Sequence, residues 1–224
     1  MMRSHKKLTK KEMKQDTLII ITAKVLDYLR EEWTKLVSIA VGVILIIAVS
    51  LFILSGMERS EINAYDIAIK ASLDNAPEAM DLMTKYVNKY GGSKRAASVL
   101  INLGNHYYSI KDYDSAEIYY KKYIEKFSDD PLYGFNAYNG LGGIYEEKGE
   151  FEKAASLYEE YISKYKNAVF SPLMSLSAGK AYFYSGNKNA ALRNFNRVVD
   201  SFKDSQEKQE AQFYIDMITA GKDV

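Results

Sequence analysis

The chain has 224 residues, no cysteine, three prolines and a formal net charge of +1. Without cysteine it has no disulfide, thiolate metal site, thiol nucleophile or acylated lipoprotein anchor, and a near-neutral chain gives no electrostatic reason for a nucleic-acid partner. The length suits one solenoid domain plus an anchor, and a composition rich in Ala, Leu, Lys, Glu and Tyr with so little proline points to packed helices joined by short turns.

The charge is unevenly placed. Residues 1–35 carry nine Lys/Arg (Arg3, Lys6, Lys7, Lys10, Lys11, Lys14, Lys24, Arg30, Lys35) against five Asp/Glu, so the remainder of the 30 basic and 29 acidic residues leans acidic. Thr9 and Glu12 have capping-box spacing. Leu18, Ile21, Val25, Leu29, Trp33 and Leu36 recur every three or four residues, the spacing of one helix face. Two readings of this basic tail stand side by side: a helix lying on an anionic leaflet, and a solvated extension of the next element.

From Leu36 to Met57 the sequence carries no charge. Twenty-two residues at 1.5 Å each cover ~33 Å, close to the hydrocarbon thickness of a bilayer. A buried soluble helix rarely runs so far uncharged. A cleaved signal peptide fits poorly, because the preceding segment is long, the apolar run exceeds a usual h-region, and Leu54 and Gly56 make a poor cleavage site. The segment reads as an uncleaved signal anchor, with Trp33 at one edge. The lysine-rich tail places residues 1–35 in the cytoplasm and residues 58–224 outside it.

Beyond the anchor a repeat emerges. KYVNKY (85–90), KYIEKF (122–127), EYISKY (160–165) and RVVDSF (197–202) resemble one another, and their first anchors Tyr86, Tyr123, Tyr161 and Val198 are 37, 38 and 37 residues apart. A fixed period in this range marks a solenoid. The same steps relate Leu103-Gly104, Leu141-Gly142 and Ala178-Gly179; the alanines 79, 116, 154 and 191; and Met83, Tyr120, Tyr158 and Phe195. Each unit reads as two helices around a turn, with Gly149 and Gly186 as helix stops. In the first helix a small residue admits its neighbour, and the tyrosine three residues on (Tyr107, Tyr145, Tyr182) is expected to fill the gap beside it. Residues 206–220 read as a terminal capping helix, and Ile62–Ala71 with Pro77–Tyr90 as the pair that caps the other end.

The pattern LG-x-x-Y followed by an aromatic and A-x-x-x-[YF] resembles the tetratricopeptide repeat, well over residues 97–204 and weakly over 60–92. Leu100, Tyr138 and Ser175 replace the usual tryptophan, and Lys188 takes the place of Tyr113 and Phe151. The third repeat is therefore expected to pack less tightly. The predicted fold is all-α, one transmembrane helix followed by a right-handed tetratricopeptide-type solenoid. Its segments are a basic cytoplasmic tail (1–35), an anchor (36–57), a partial repeat (58–96), three repeats (97–204) and a capping helix (205–224).

With its anchor the layout resembles the YfgM-like family. That resemblance implies a bacterial inner-membrane protein with a periplasmic C-terminal domain, partnered by Sec translocon subunits, periplasmic chaperones or exported clients, and contacting lipid through one span. An envelope or cell-division scaffold like the Tol-Pal-associated tetratricopeptide proteins is the alternative, though these usually have a cleaved signal and a coiled coil.

Little in the sequence suggests catalysis or a cofactor. His5 and His106 have no partners at metal-ligand spacing. NGLGGIYEEKGE (139–150) lacks the G-K-[ST] ending of a phosphate loop. The expectation is a non-enzymatic protein without a small-molecule substrate. The superfamily geometry implies a peptide-binding groove lined by the first helix of each pair, here Ile101, Asn105, Tyr108, Asn139, Glu146, Leu176, Lys180 and Tyr184. Lys180 alone is basic, too few cations for a clamp on a terminal carboxylate.

Overall fold

A computed structural model describes residues 10–127, 129–166 and 168–221. Thr9 of the proposed capping box and His5 lie outside the described residues. All regular structure among them is α-helical: α1 (Lys10–Leu73), α2 (Ala79–Tyr90), α3 (Ala96–Ser109), α4 (Tyr113–Lys126), α5 (Pro131–Glu147), α6 (Phe151–Lys164), α7 (Ser171–Tyr184), α8 (Lys188–Ser201) and α9 (Lys208–Thr219). The chain divides into two units, Met1–Ser60 and Glu61–Val224.

The first unit is helical from Lys10 onward. Its apolar side chains face outward: Leu18, Ile21, Val25 and Trp33 in the basic region, and the run from Leu36 to Met57, are exposed. Ile19, Ile20, Leu26 and Tyr28 are exposed as well, so the apolar surface near the start of α1 is broader than one stripe. Among the described residues one helical stretch is long and apolar enough to cross a membrane.

The second unit is a stack. From α2 to α9 each helix packs on the next, and α3 also reaches α5, as α7 reaches α9. Alternate helices therefore share a face, as in a two-layer solenoid. The turns follow one recipe. Lys111, Gly149 and Gly186 occupy the left-handed region at φ 61°, 73° and 83°. The next residue's N–H then returns to the carbonyl of Tyr107, Tyr145 or Tyr182 (2.9, 2.8 and 2.9 Å), the six-to-one bond of a Schellman motif. That same residue starts the next helix. The Asp112 and Asn187 side chains accept from the N–H of Ser115 and Ala190, whereas Glu150, one methylene longer, caps nothing.

The glycines explain how close the layers come. A Cβ on Gly104 would lie 2.5 Å from Tyr120 Cε1, and one on Gly179 would lie 2.5 Å from Phe195 Cε1; Gly142 meets the Tyr158 ring in the same way. A ring from the second helix thus packs against a bare patch of the first. This corrects the expected filler. Tyr107, Tyr145 and Tyr182 stay half-buried, and Tyr107 stacks on Tyr119 at 5.5 Å. The third repeat is not loose either. Met174, Phe195 and Val198 are fully buried, and Tyr214 of α9 stacks on Phe195 at 5.0 Å, so the capping helix closes this end of the core. The tryptophan replacement at Ser175 does leave a mark: its buried hydroxyl has no hydrogen-bond partner.

Candidate functional site on the concave face

Helices α3, α5 and α7 line a cavity of about 320 Å³, with Asn105 and Tyr108 on α3, Asn136, Asn139 and Glu146 on α5, and Ser177 on α7. The rings of Tyr120 and Tyr158 reach it from the outer layer, and Gly140 and Gly143 complete its wall. A Cβ at Gly140 would collide with the Tyr120 ring, and one at Gly143 would lie 3.0 Å from the Tyr108 hydroxyl. The bare helix surface therefore keeps the cavity open.

Polar groups converge here. The Tyr120 hydroxyl donates to Asn105 Oδ1 at 2.8 Å, and Asn136 Nδ2 donates to the Leu132 carbonyl at 2.9 Å. Burial holds the Glu146 carboxyl above its ordinary pKa. The Tyr158 hydroxyl and Lys180 pull it down, and Glu147 pushes it up. Burial also pushes the Tyr120 and Tyr158 hydroxyls up, helped in each case by the nearby Tyr108 and, for Tyr158, by Glu146.

Four of the residues expected to line a groove meet in this cavity: Asn105, Tyr108, Asn139 and Glu146. Ile101 and Leu176 do not, being 3% exposed in the hydrophobic core. They share the repeat register of Asn139, but neighbours cover them. Leu176 packs in the cluster of Ala211 and Ile218 from α9, and Ile101 in the cluster that contains Ala68 of α1. Lys180 is taken by the same end helix, its Nζ pairing with Glu210 at 2.9 Å. Tyr184 faces a separate depression beside Phe151, with ring centroids 5.7 Å apart. Its register was one residue off: the position equivalent to Tyr108 and Glu146 is Phe183, which is buried. Helical spacing could have found Gly143, the register partner of Asn105 and Lys180. Tyr120 and Tyr158 carried no such signal, since they belong to the second helices.

Among the described residues no group of three or more His, Cys, Asp or Glu could hold a metal ion. His106 lies edge-on to Tyr107 at 5.5 Å.

Residues 97–125 and 137–167 match family models for the tetratricopeptide repeat. These two segments are tetratricopeptide repeats. DnaJ homolog subfamily C member 7 from Homo sapiens and from Mus musculus are each 30% identical over 122 residues, 53% of this chain and 23% of theirs. The chain thus spans about a quarter of the length of the curated relatives it matches. Among solved structures, a tetratricopeptide repeat protein from Parabacteroides merdae superposes with a TM-score of 0.58 at 16% identity, covering 71% of this chain and 61% of its own. MamA of AMB-1 superposes at 0.50 with 18% identity, covering 66% and 75%. Both are likenesses of fold. The fold is a protein-interaction scaffold, typically without enzymatic activity.

Proposed function

We propose that this chain is a single-pass protein of the bacterial inner membrane, anchored through 36–57, with residues 1–35 cytoplasmic and the solenoid periplasmic. The repeats 97–204, flanked by the partial repeat 58–96 and the cap 205–224, form a non-enzymatic platform that binds protein segments on its concave face. The layout is like that of the YfgM-like family, which favours Sec translocon subunits, periplasmic chaperones and exported clients as partners.

The observation that carries this reading is the charge-free run Leu36–Met57, exposed on α1, the helix whose last turns enter the first repeat. A solenoid held at a membrane gains effective concentration toward membrane partners without any new contact.

Topology is tested with a reporter active only outside the cytoplasm. It should work when fused after Val224 and fail when fused before Met1; the opposite result overturns the orientation. Partner choice is tested by capture from detergent-solubilised membranes. Sec subunits are expected, and their recovery should fall on Asn139→Ala while the melting temperature holds, because truncating an open polar residue usually changes stability by less than ~0.5 kcal/mol. Recovery of Tol-Pal components in their place would favour the envelope-division alternative.

A further inference from the structure

The concave cavity is lined by one carboxylate and by no cation. Lys180, the cation that acts on Glu146, is itself paired with Glu210. The nearest help for Glu146 is the Tyr158 hydroxyl, together with the more distant pull of Lys180. A half-buried carboxylate without a counter-ion in a polar cavity is a site where an added cation gains more than it would in open water.

The other lining groups suit a peptide. Asn105 spends its Oδ1 on Tyr120 and keeps its NH2 to donate, whereas Asn136 spends its NH2 on the Leu132 carbonyl and keeps its Oδ1 to accept. Together they offer the donor and the acceptor that an extended main chain needs. The half-buried Tyr108 ring gives an apolar wall for an aliphatic stem. A volume of about 320 Å³ is near the lower bound of ligand pockets, enough for one long side chain and too small for a docked helix.

We propose that this cavity receives a lysine or arginine side chain of an extended partner segment, with Glu146 as counter-charge and Asn105, Asn136 and Asn139 as ligands of the adjoining main chain. The proposal rests on the reading that the concave face binds protein segments, and it adds what that face selects. An acidic side chain would set two carboxylates against each other. A neutral one would leave Glu146 uncompensated.

The test measures fluorescence anisotropy on the full chain in detergent. The probes are three short end-blocked alanine/serine peptides that differ only at one central residue: lysine, norleucine or glutamate. The lysine peptide should bind at least tenfold more tightly than the other two, and added salt should narrow the gap. Glu146→Gln should remove that preference and leave the residual binding of the norleucine peptide in place, with the fold checked by circular dichroism. Asn105→Ala with Asn139→Ala should weaken all three peptides alike. Equal binding of the three peptides, unchanged by Glu146→Gln, overturns the charge assignment and leaves the groove standing. No binding by any of them, together with partner capture that survives the asparagine substitutions, overturns both. Spermidine should compete at least tenfold less well than the lysine peptide. Equal competition would mean a bare cation site, and the peptide assignment would fall.

Discussion

Leu36–Met57 and the crossings of α3 to α8 both set large apolar side chains on helices, with opposite outcomes. Along the first, Ile46 and Phe52 are 68% and 80% exposed, whereas Tyr120, Tyr158 and Phe195 at the crossings are at most 2% exposed. Hydrophobicity alone does not decide which side chains are buried within the protein. At three helix crossings of the solenoid a buried ring has a bare partner, Tyr120 on Gly104, Tyr158 on Gly142 and Phe195 on Gly179. In the apolar run, Gly42 and Gly56 have nothing within 4 Å of where a Cβ would sit. A helix that is apolar all round, with no neighbour fitted to any face, suits lipid as its solvent.

The comparison can be broken most forcefully in the apolar run. Val43→Arg with Ile47→Arg puts two charges near the middle of the apolar run, at roughly 2.5–3.5 kcal/mol each for membrane insertion. The protein should shift from the membrane pellet to the soluble fraction under alkaline carbonate extraction. Retention in the pellet would show that Leu36–Met57 is not what holds the chain in the membrane.

A smaller effect is expected from filling glycines. Gly142→Leu forces volume against the buried Tyr158 ring and should cost ~1–3 kcal/mol, a fall of several degrees in the melting temperature of a domain of this size. Gly56→Leu, which meets nothing, should leave the melt unchanged. Equal effects at the two positions would undo the contrast between packed and open glycines.

Two polar groups sharpen the same contrast inside the solenoid. Ser175→Ala removes a buried hydroxyl that has no partner and should raise stability by ~1 kcal/mol, since an unsatisfied buried polar group costs about 1–3 kcal/mol. A loss of stability would mean that the hydroxyl is satisfied in solution. Glu146 gives the smallest effect, and its sign follows from linkage. Burial raises its folded pKa above the ordinary 4.5, so the folded state favours the protonated form, and stability from this group is lost as pH rises through 4.5 toward the folded value. Glu146→Gln should therefore melt higher than the parent at pH 7, with the difference shrinking toward pH 4. A lower melting temperature at pH 7 would reverse the assigned sign. A carboxylate kept at a cost to stability is the pattern of a binding site.

The period of 37 and 38 residues, the helix pairs, the glycine stops at Gly149 and Gly186, the capping helix and the charge-free run were all legible in the sequence, because each depends on short-range spacing or on residue type along one helix. Lys111 also occupies the left-handed turn position, though its side chain gave no glycine-like signal. The turn register places it there all the same.

Which aromatic covers each glycine was decided only in the tertiary structure. Tyr107, Tyr145 and Tyr182 are near Gly104, Gly142 and Gly179 in sequence, yet the rings that meet those glycines come from the facing helices. The open site was decided there too. Ile101, Asn139 and Leu176 share one register, and only Asn139 lines the cavity. The end of α1 and the capping helix α9 contribute to the clusters that bury the other two. Repeat spacing determines which face a residue takes on its own helix. Whether that face stays open depends on what packs over it, and at the ends of a stack the covering elements lie outside the repeat.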